Sequence, residues 1–255
     1  MKKNILFIIT VCLLINSSCS DFLEEEHKTK YSSDYIFGTP EGLKLAANAL
    51  YALQRYYAND TENATIFALE RGTDLAVTNG GTGNFYGIYD PNYLKPSASQ
   101  VGFMWRTMYQ IIGKANEIIA AAEDLEDTPS LRATVSEAKC FRAQSYFLLY
   151  RTFDRIWLNM LPTTAENVND PRDFHAASEK EVFDLIYEDL EYAITNLDWV
   201  SDEAGRFTQA AARHMKAKAA LWLKDWDTTL EQVEEIEKSG HFDLITLNEV
   251  FNAGD

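Results

Sequence analysis

The spacing of apolar residues predicts helices along most of the chain. Apolar side chains recur every three or four residues, which places them on one face of a helix. This pattern covers the segments at about 40–58, 101–124, 130–154, 178–197, 209–224 and 227–238. Residues that favour helix starts precede several of them: Thr39-Pro40-Glu41, the capping box Ser178-Glu179-Lys180-Glu181, and Thr208. The pattern therefore predicts an all-α fold.

The segment 136–153, SEAKCFRAQSYFLLYRTF, is apolar on nearly every side of its predicted helix. A helix of this kind has to pack against neighbours on several sides, so we expect it at the centre of the domain. Arg142 and Arg151 interrupt it, and each is expected to lay its stem on apolar surface and pair with a carboxylate. Cys140 is expected to be a small core residue.

The last two predicted helices are separated only by the short turn 224–227, and Gly240 provides a stop after the second. This arrangement predicts a helical hairpin. Hairpins of this type stack side by side in tetratricopeptide-like arrays. Residues 59–99 differ from the rest, because glycine, asparagine, aspartate and proline alternate there with aromatic residues. We interpret this segment as a long irregular loop, and such loops often carry binding sites.

The charge and the histidine positions exclude several classes of function. The formal net charge is −16, which argues against nucleic-acid partners and against electrostatic docking on anionic lipid. The 4 histidines are scattered, without metal-ligand spacing. The glycine-rich run 80–83 lacks the lysine of a phosphate loop, and no G-x-S-x-G sequence occurs. We therefore expect no enzymatic activity, no metal and no cofactor.

The first 18 residues are typical of a secretory signal. Lys2 and Lys3 precede the apolar run 5–15, which is shorter than the about 20 residues that span a bilayer as a helix. The sequence Asn16-Ser17-Ser18-Cys19 resembles a bacterial lipoprotein cleavage box, which would make Cys19 the lipidated first residue. The alternative is an ordinary signal peptide followed by an incidental cysteine.

Cysteine usage agrees with the lipoprotein interpretation. Cys12 would leave with the signal and Cys19 would carry lipid, so Cys140 would remain as the single thiol, without a disulfide partner. The acidic segment that follows Cys19 is predicted to be a solvated tether. The predicted domains are a signal peptide at 1–18, a lipidated acidic tether at 19–38 and a helical domain at 39–255.

Several segments together resemble the SusD/RagB family of outer-membrane nutrient-binding lipoproteins. Residues 137–149 follow the pattern E-A-x-x-x-R-A-x-x-Y-F-x-L, and residues 105–119 follow W-x-x-x-Y-x-x-I-x-x-x-N-x-I-I. Residues 181–193 follow E-V-x-x-x-I-x-x-D-L-x-x-A. Residues 205–212 follow G-R-x-T-x-x-A-A, and 239–244 follow S-G-x-F-x-L. Each match alone is weak, but their shared order and spacing make the resemblance strong.

The resemblance implies a SusD-like N-terminal half. Family members usually continue for a comparable length, so this chain is expected to be a fragment or a truncated reading frame, and whether it binds ligand alone stays open. The family usually has a glycine after the central helix. Here residues 153–158 contain none, so the turn must be made differently.

Sugar rings present apolar faces and a rim of hydroxyl groups, so their sites combine aromatic platforms with planar polar side chains. In the SusD/RagB family the loop between the first long helices contributes glycan contacts. By resemblance, the candidate ligand-binding residues are Arg71, Asp74, Asn84, Tyr86, Tyr89, Asn92 and Tyr93. The alternative is that these tyrosines cover the helical core and that Asp74 caps a turn. Asn116 is expected to satisfy a backbone group, with a ligand role as the alternative.

The function implied by the resemblance is capture of a nutrient, a glycan or oligosaccharide, and its delivery to a SusC-like TonB-dependent transporter. The protein would be lipid-anchored in the outer membrane and face the cell exterior. One alternative is a lipid-anchored helical-repeat scaffold that binds only protein. A second alternative is a non-functional remnant. The sequence leaves open which glycan or other nutrient is bound.

Overall fold

The computed structural model describes residues 31–59, 95, 97, 99–164, 166–171 and 174–244. Within these residues the chain forms helices and no strand. The helices are α1 (Ser33–Gly38), α2 (Pro40–Asn59), α3 (Ser99–Ala122), α4 (Pro129–Thr152), α5 (Glu179–Asn196), α6 (Gln209–Leu223) and α7 (Trp226–Lys238). The predicted all-α fold is confirmed, and both ends of every predicted helix lie within about two residues of the prediction.

The predicted helix starts are confirmed by their hydrogen bonds. The Glu181 backbone N–H donates to the Ser178 hydroxyl at 3.3 Å, and the Ser178 N–H donates to the Glu181 carboxylate at 2.8 Å. The hydroxyl of Thr208 accepts from the Ala211 N–H at 3.3 Å. These side chains satisfy backbone donors that the first turn of a helix leaves without partners.

Helix α1 was not predicted, because a helix of six residues is too short to show a hydrophobic repeat. It lies at the end of the segment predicted to be a tether, and residues 19–30 of that segment lie outside the described residues. The Thr39 hydroxyl connects α1 to α2: it donates to the Tyr35 carbonyl at 2.8 Å and accepts from the Gly42 N–H at 3.0 Å. The prediction of Thr39 as an N-cap is thus confirmed.

Helix α4 is the centre of the domain and packs against α2, α3, α5 and α6. Its buried residues lie on all sides of the helix, as predicted. They include the bulky Phe141, Tyr146 and Leu149, and also the small Ala138 and Ala143. The small side chains allow neighbouring helices to approach closely.

Helices α6 and α7 pack against each other and form the predicted hairpin. The turn between them uses Lys224 in the left-handed conformation, with φ of 60°, and Asp225 as the cap of α7. The Asp225 carboxylate accepts from the Thr228 N–H at 3.1 Å. None of the described helices combines the length and the apolar character that a membrane span requires.

Candidate functional site

The predicted ligand-binding residues Arg71, Asp74, Asn84, Tyr86, Tyr89, Asn92 and Tyr93 lie outside the described residues, and so does Cys19. Their roles therefore remain predictions. The described part of the chain contains two clusters of polar motif residues and one open aromatic cleft, which are the candidates for a functional site.

The first polar cluster is centred on Asp189 of α5, whose side chain is 0% exposed. Its carboxylate accepts from Arg142 Nε at 2.7 Å and from Arg142 Nη2 at 2.7 Å, and the ammonium group of Lys139 lies 2.8 Å away. The bidentate geometry matches the planar guanidinium to the planar carboxylate. This confirms that Arg142 pairs with a carboxylate.

Arg142 also connects this cluster to Asn116 of α3. Its Nη1 donates to the Asn116 side-chain oxygen at 2.8 Å, and the Asn116 amide donates to the Asn159 carbonyl at 2.7 Å. The prediction that Asn116 satisfies a backbone group is confirmed. The side chain is buried and both ends of its amide are used within the fold, so the geometry does not support a ligand role.

Arg151 differs from Arg142. Its guanidinium lies over the ring of Phe147, 4.6 Å from the ring centroid, in a cation–π contact. Among the described residues, no carboxylate pairs with it. The expectation of a carboxylate partner for Arg151 is therefore not met, because the charge lies at the edge of α4, where the side chain is exposed.

The second polar cluster joins α4 to the loop before α6. The Glu137 carboxylate lies 3.0 Å from Arg206 Nη1, and Arg206 Nε lies 2.9 Å from Glu203. Burial raises the pKa of the Glu137 carboxyl group, although the charge of Arg206 acts in the opposite direction. The Tyr51 hydroxyl accepts from the Phe207 N–H at 2.9 Å. Because these groups satisfy one another, the motif residues Glu137 and Arg206 stabilise the fold.

The segment 153–159 leaves α4 in an extended conformation and is held by two tyrosine hydroxyls. Tyr109 of α3 donates to the Trp157 carbonyl at 2.8 Å and accepts from the Trp157 N–H at 2.9 Å. Tyr146 of α4 does the same for Asn159, at 2.9 and 2.7 Å. On the other side, the Ile156 carbonyl accepts from the Ala177 N–H at 2.8 Å. The chain thus leaves the helix without a glycine, as the sequence required.

An open cleft of about 590 Å³ lies beside this extended segment, and we call it the Trp157 cleft. Its lining consists of Trp105, Tyr109, Arg155, Ile156, Trp157, Asn159, Phe174, His175 and Ala176. The ring centroids of Trp157 and Phe174 are 4.8 Å apart. The Tyr109 ring stacks with that of Trp157, with their centroids 6.1 Å apart. Phe174 is 69% exposed. The cleft therefore presents aromatic surface to solvent beside planar polar side chains.

This cleft was not predicted from the sequence. Its residues come from α3, from the segment after α4 and from the loop before α5, and no local pattern connects them. The nearest signal was the W-x-x-x-Y sequence of α3, which places Trp105 and Tyr109 on one side of a helix.

The described residues contain no group of three or more histidine, cysteine, aspartate or glutamate side chains that could hold a metal ion. Cys140 is fully buried, and burial raises the pKa of its thiol. The thiolate is the nucleophilic form of cysteine, so this residue has the properties of a core side chain, as predicted.

A family model described as "Starch-binding associating with outer membrane" matches residues 21–221. The chain belongs to the SusD-like family. The SusD-like protein P38 of Formosa agariphila is 27% identical over 254 residues, which cover 96% of this chain and 48% of that protein. A SusD-like protein of Bacteroides ovatus is 28% identical over 242 residues, covering 89% of this chain and 40% of that protein. The chain thus spans about half the length of these curated relatives or less.

Solved structures, SusD-like proteins among them, share the fold. A laminarin-binding SusD-like protein superposes with a TM-score of 0.71 at 24% identity, covering 84% of this chain and 48% of that chain. A structure with xylogluco-oligosaccharide superposes with a TM-score of 0.66 at 22% identity, covering 82% and 42%. The resemblance stated from the sequence is confirmed, and so is the helical, tetratricopeptide-like architecture.

Proposed function

We propose that this chain belongs to a lipid-anchored surface protein that captures a glycan and delivers it to a SusC-like TonB-dependent transporter in the outer membrane. The observation that carries the proposal is the match of a starch-binding family across residues 21–221, on a fold shared with SusD-like structures. Two of those related proteins are described with laminarin and with a xylogluco-oligosaccharide. Glycan is therefore the ligand class that the family relationship supports best.

The irregular segment 59–99, which we call the tyrosine-rich segment, is proposed to contribute glycan contacts through Tyr86, Tyr89 and Tyr93, together with Arg71 and Asp74. If each stacked ring contributes about 0.5–1.5 kcal/mol, three rings contribute roughly 1.5–4.5 kcal/mol. This corresponds to affinities around millimolar or weaker. Capture at such affinity works best beside a transporter, where tethering raises the effective ligand concentration.

The proposed anchor is an acylated Cys19. Each buried methylene group contributes about 0.8 kcal/mol, so two or more acyl chains hold a protein stably at a membrane. The acidic residues that follow Cys19 would then separate the helical domain from the lipid surface. We propose the outer membrane as the location, with the helical domain at the cell exterior.

Affinity electrophoresis on a polysaccharide panel tests glycan binding and the tyrosine contacts. The full-length protein is compared with Tyr86→Ala and Tyr89→Ala, and Tyr56→Ala serves as the control because Tyr56 is 60% exposed on α2, outside the tyrosine-rich segment. We expect a retarding glycan to retard the two test variants less than the control. Equal retardation of all three would remove these tyrosines from the site. Free migration of the wild type on every glycan would contradict glycan binding itself.

The hairpin surface favours a second candidate function, a protein-interaction scaffold without sugar binding. Several large apolar side chains of α6 and α7 are about half exposed, namely Leu221, Trp222, Trp226, Leu230 and Val233. Exposed apolar patches of this kind often mark protein contacts. Co-purification from outer membranes, measured together with the electrophoresis, separates the two functions. Recovery of a transporter without any glycan retardation would favour the scaffold.

A further inference from the structure

We propose that the Trp157 cleft binds a pyranose ring of a neutral glycan, which stacks on the aromatic surface of Trp157 and Phe174. This inference rests on the proposed function and adds a subsite that is built from described residues outside the range 59–99. It assigns a binding role to residues that follow α4 and precede α5. The shape, the polar groups, the charge and the rigidity of the cleft support this role.

The dimensions of the cleft suit a sugar. Its volume of about 590 Å³ lies within the range of roughly 300–1,000 Å³ found for small-molecule sites. The planes of Trp157 and Phe174 meet at 58°, so their rings form an angled surface that can contact two sides of one ligand. The apolar C–H face of a pyranose ring fits such a surface.

Asn159 supplies a planar polar group next to these rings. Its backbone N–H and C=O are both bonded to Tyr146, and the carbonyl also accepts from Asn116. Within the described residues its side-chain amide makes no hydrogen bond. An amide carries both donors and an acceptor, and can therefore bond two neighbouring sugar hydroxyls.

The charge of the cleft favours an uncharged ligand. Among its described lining residues, Arg155 carries the single permanent charge, and the Asp154 carboxylate lies 3.7 Å from its Nε atom. The opposite charges of this exposed pair nearly cancel at longer range. The described lining residues thus offer an acidic polysaccharide no cluster of cations, whereas a neutral glucan does not need one.

The platform is held in place before any ligand arrives. The Tyr109 hydroxyl bonds both backbone groups of Trp157, and Trp105 packs on the Tyr109 ring at 4.8 Å. Asn159 is held through a second set of bonds. Asp189 orients Arg142, and Arg142 in turn orients Asn116. The Asn116 amide then donates to the Asn159 carbonyl. A ligand that binds to a fixed platform avoids part of the entropy cost of ordering it.

The test compares Phe174→Ala and Trp157→Ala with Trp226→Ala in the full-length protein, on gels that contain laminarin, xyloglucan or polygalacturonate. Trp226 is the matched control, because it is 57% exposed on α7 and lies outside the cleft. We expect Phe174→Ala to weaken binding of laminarin or xyloglucan roughly 2- to 12-fold, from the loss of one ring contact. We expect Trp157→Ala to weaken it tenfold or more, and Trp226→Ala to leave it unchanged.

A second measurement uses the wild-type protein and does not depend on variants that fold. N-bromosuccinimide oxidises accessible indoles, and mass spectrometry locates the modified residue. Bound laminarin or xyloglucan should protect Trp157 and should leave the oxidation of Trp226 unchanged.

The outcomes separate this inference from the proposed function. If a glycan retards the wild type, and either Phe174→Ala migrates like Trp226→Ala or Trp157 is not protected, the cleft assignment is overturned and glycan capture stands. Stronger retardation by polygalacturonate than by the neutral glucans overturns the assignment of a neutral ligand. Absence of retardation on every gel overturns both the subsite and the proposed function.

Discussion

Asp189 shows how a single buried residue can determine the packing of three helices. Its carboxylate receives hydrogen bonds from Arg142 and Lys139 of α4, and Arg142 extends the network to Asn116 of α3. Buried charges are tolerated only when they are paired, because each charge loses its hydration on folding. Each member of this network therefore depends on the others.

We predict that Asp189→Asn destabilises the protein by about 3–5 kcal/mol, because two cations would remain buried without a compensating charge. The free energy of unfolding in urea measures the effect. Asp184→Asn on the same helix is the control, since Asp184 pairs with Lys180 at the exposed surface. That pair should contribute less than about 1 kcal/mol. Equal losses for the two variants would contradict the assigned role of Asp189.

Gly42 lies where α1 crosses close to the start of α2. A Cβ atom at this position would lie 2.1 Å from the Tyr35 carbonyl oxygen and 2.6 Å from the Ile36 Cα, both of which are backbone atoms. We predict that Gly42→Ala destabilises the protein by about 1–3 kcal/mol, or displaces α1 from α2. Thermal unfolding and proteolysis near residue 38 measure the two effects.

Gly113 of α3 provides the matched control for Gly42. It is also a helical glycine, but an added Cβ would meet no atom within 4 Å. Gly113→Ala should therefore be neutral, or stabilise the protein by up to about 1 kcal/mol through the lower entropy of the unfolded chain. A larger loss at Gly113 than at Gly42 would show that the close approach of α1 has been misjudged.

At this scale the sequence predicts the type of contact better than the partner. A buried arginine needs a carboxylate, and this was predicted for Arg142 from its apolar surroundings alone. The partner was not predicted, because 39 acidic residues are available and Asp189 lies 47 positions away. Arg151 lies on the same helix, yet packs on Phe147, because its end of the helix is open to solvent.

Among the elements, the extended segment 153–159 depends most on side chains. None of the described residues forms a strand beside it, and the hydroxyls of Tyr109 and Tyr146 bond backbone groups that a neighbouring strand could have paired. Burial raises the pKa of both phenols, so both keep their proton at neutral pH and can donate as well as accept. The aromatic cleft depends on this arrangement.

We predict that Tyr109→Phe and Tyr146→Phe each cost about 1–3 kcal/mol, because each leaves a backbone N–H and a carbonyl with one partner fewer. Tyr109→Phe should also move the Trp157 indole, which a change in intrinsic fluorescence would report. Tyr56→Phe is the control, because Tyr56 is exposed and none of the described residues hydrogen-bonds its hydroxyl. Wild-type stability in both test variants would show that the hydroxyls do not hold the segment.

The helices were predictable because their signals are local, namely hydrophobic periodicity and capping residues within a few positions. Helix α1 was missed because it is shorter than two turns. The Trp157 cleft was missed for a different reason. Its lining comes from three separate parts of the chain, between Trp105 and Ala176. The packing of α3 against α4 and the backbone bond between Ala177 and Ile156 bring them together.

For the whole molecule, the family and the architecture could be recognised from the order of the sequence motifs. The central polar residues of these motifs bond to other residues of the fold. Asn116, Glu137, Arg142, Asp189 and Arg206 come from four different motifs and meet in two networks. The spacing of these motifs therefore records the fold. It carries little information about the ligand, because these five residues bond to one another or to the backbone within the fold.

At this scale we predict that Cys19→Ser moves the protein from the membrane fraction to the soluble fraction and abolishes labelling by an alkyne-palmitate analogue. The physical reason is that acyl chains supply the free energy of membrane attachment. Cys12→Ser is the control, since Cys12 lies in the predicted signal and should leave with it. Membrane attachment that survives Cys19→Ser would contradict the proposed anchor.

Cys140 is 0% exposed in the folded chain, and this burial has a consequence for the export that we propose. In an oxidising compartment, an unfolded copy would expose the thiol to oxidation, whereas a folded copy buries it within α4. Folding would then compete with oxidation of this thiol. The rate at which an alkylating reagent modifies Cys140 would therefore measure how often the centre of the domain opens.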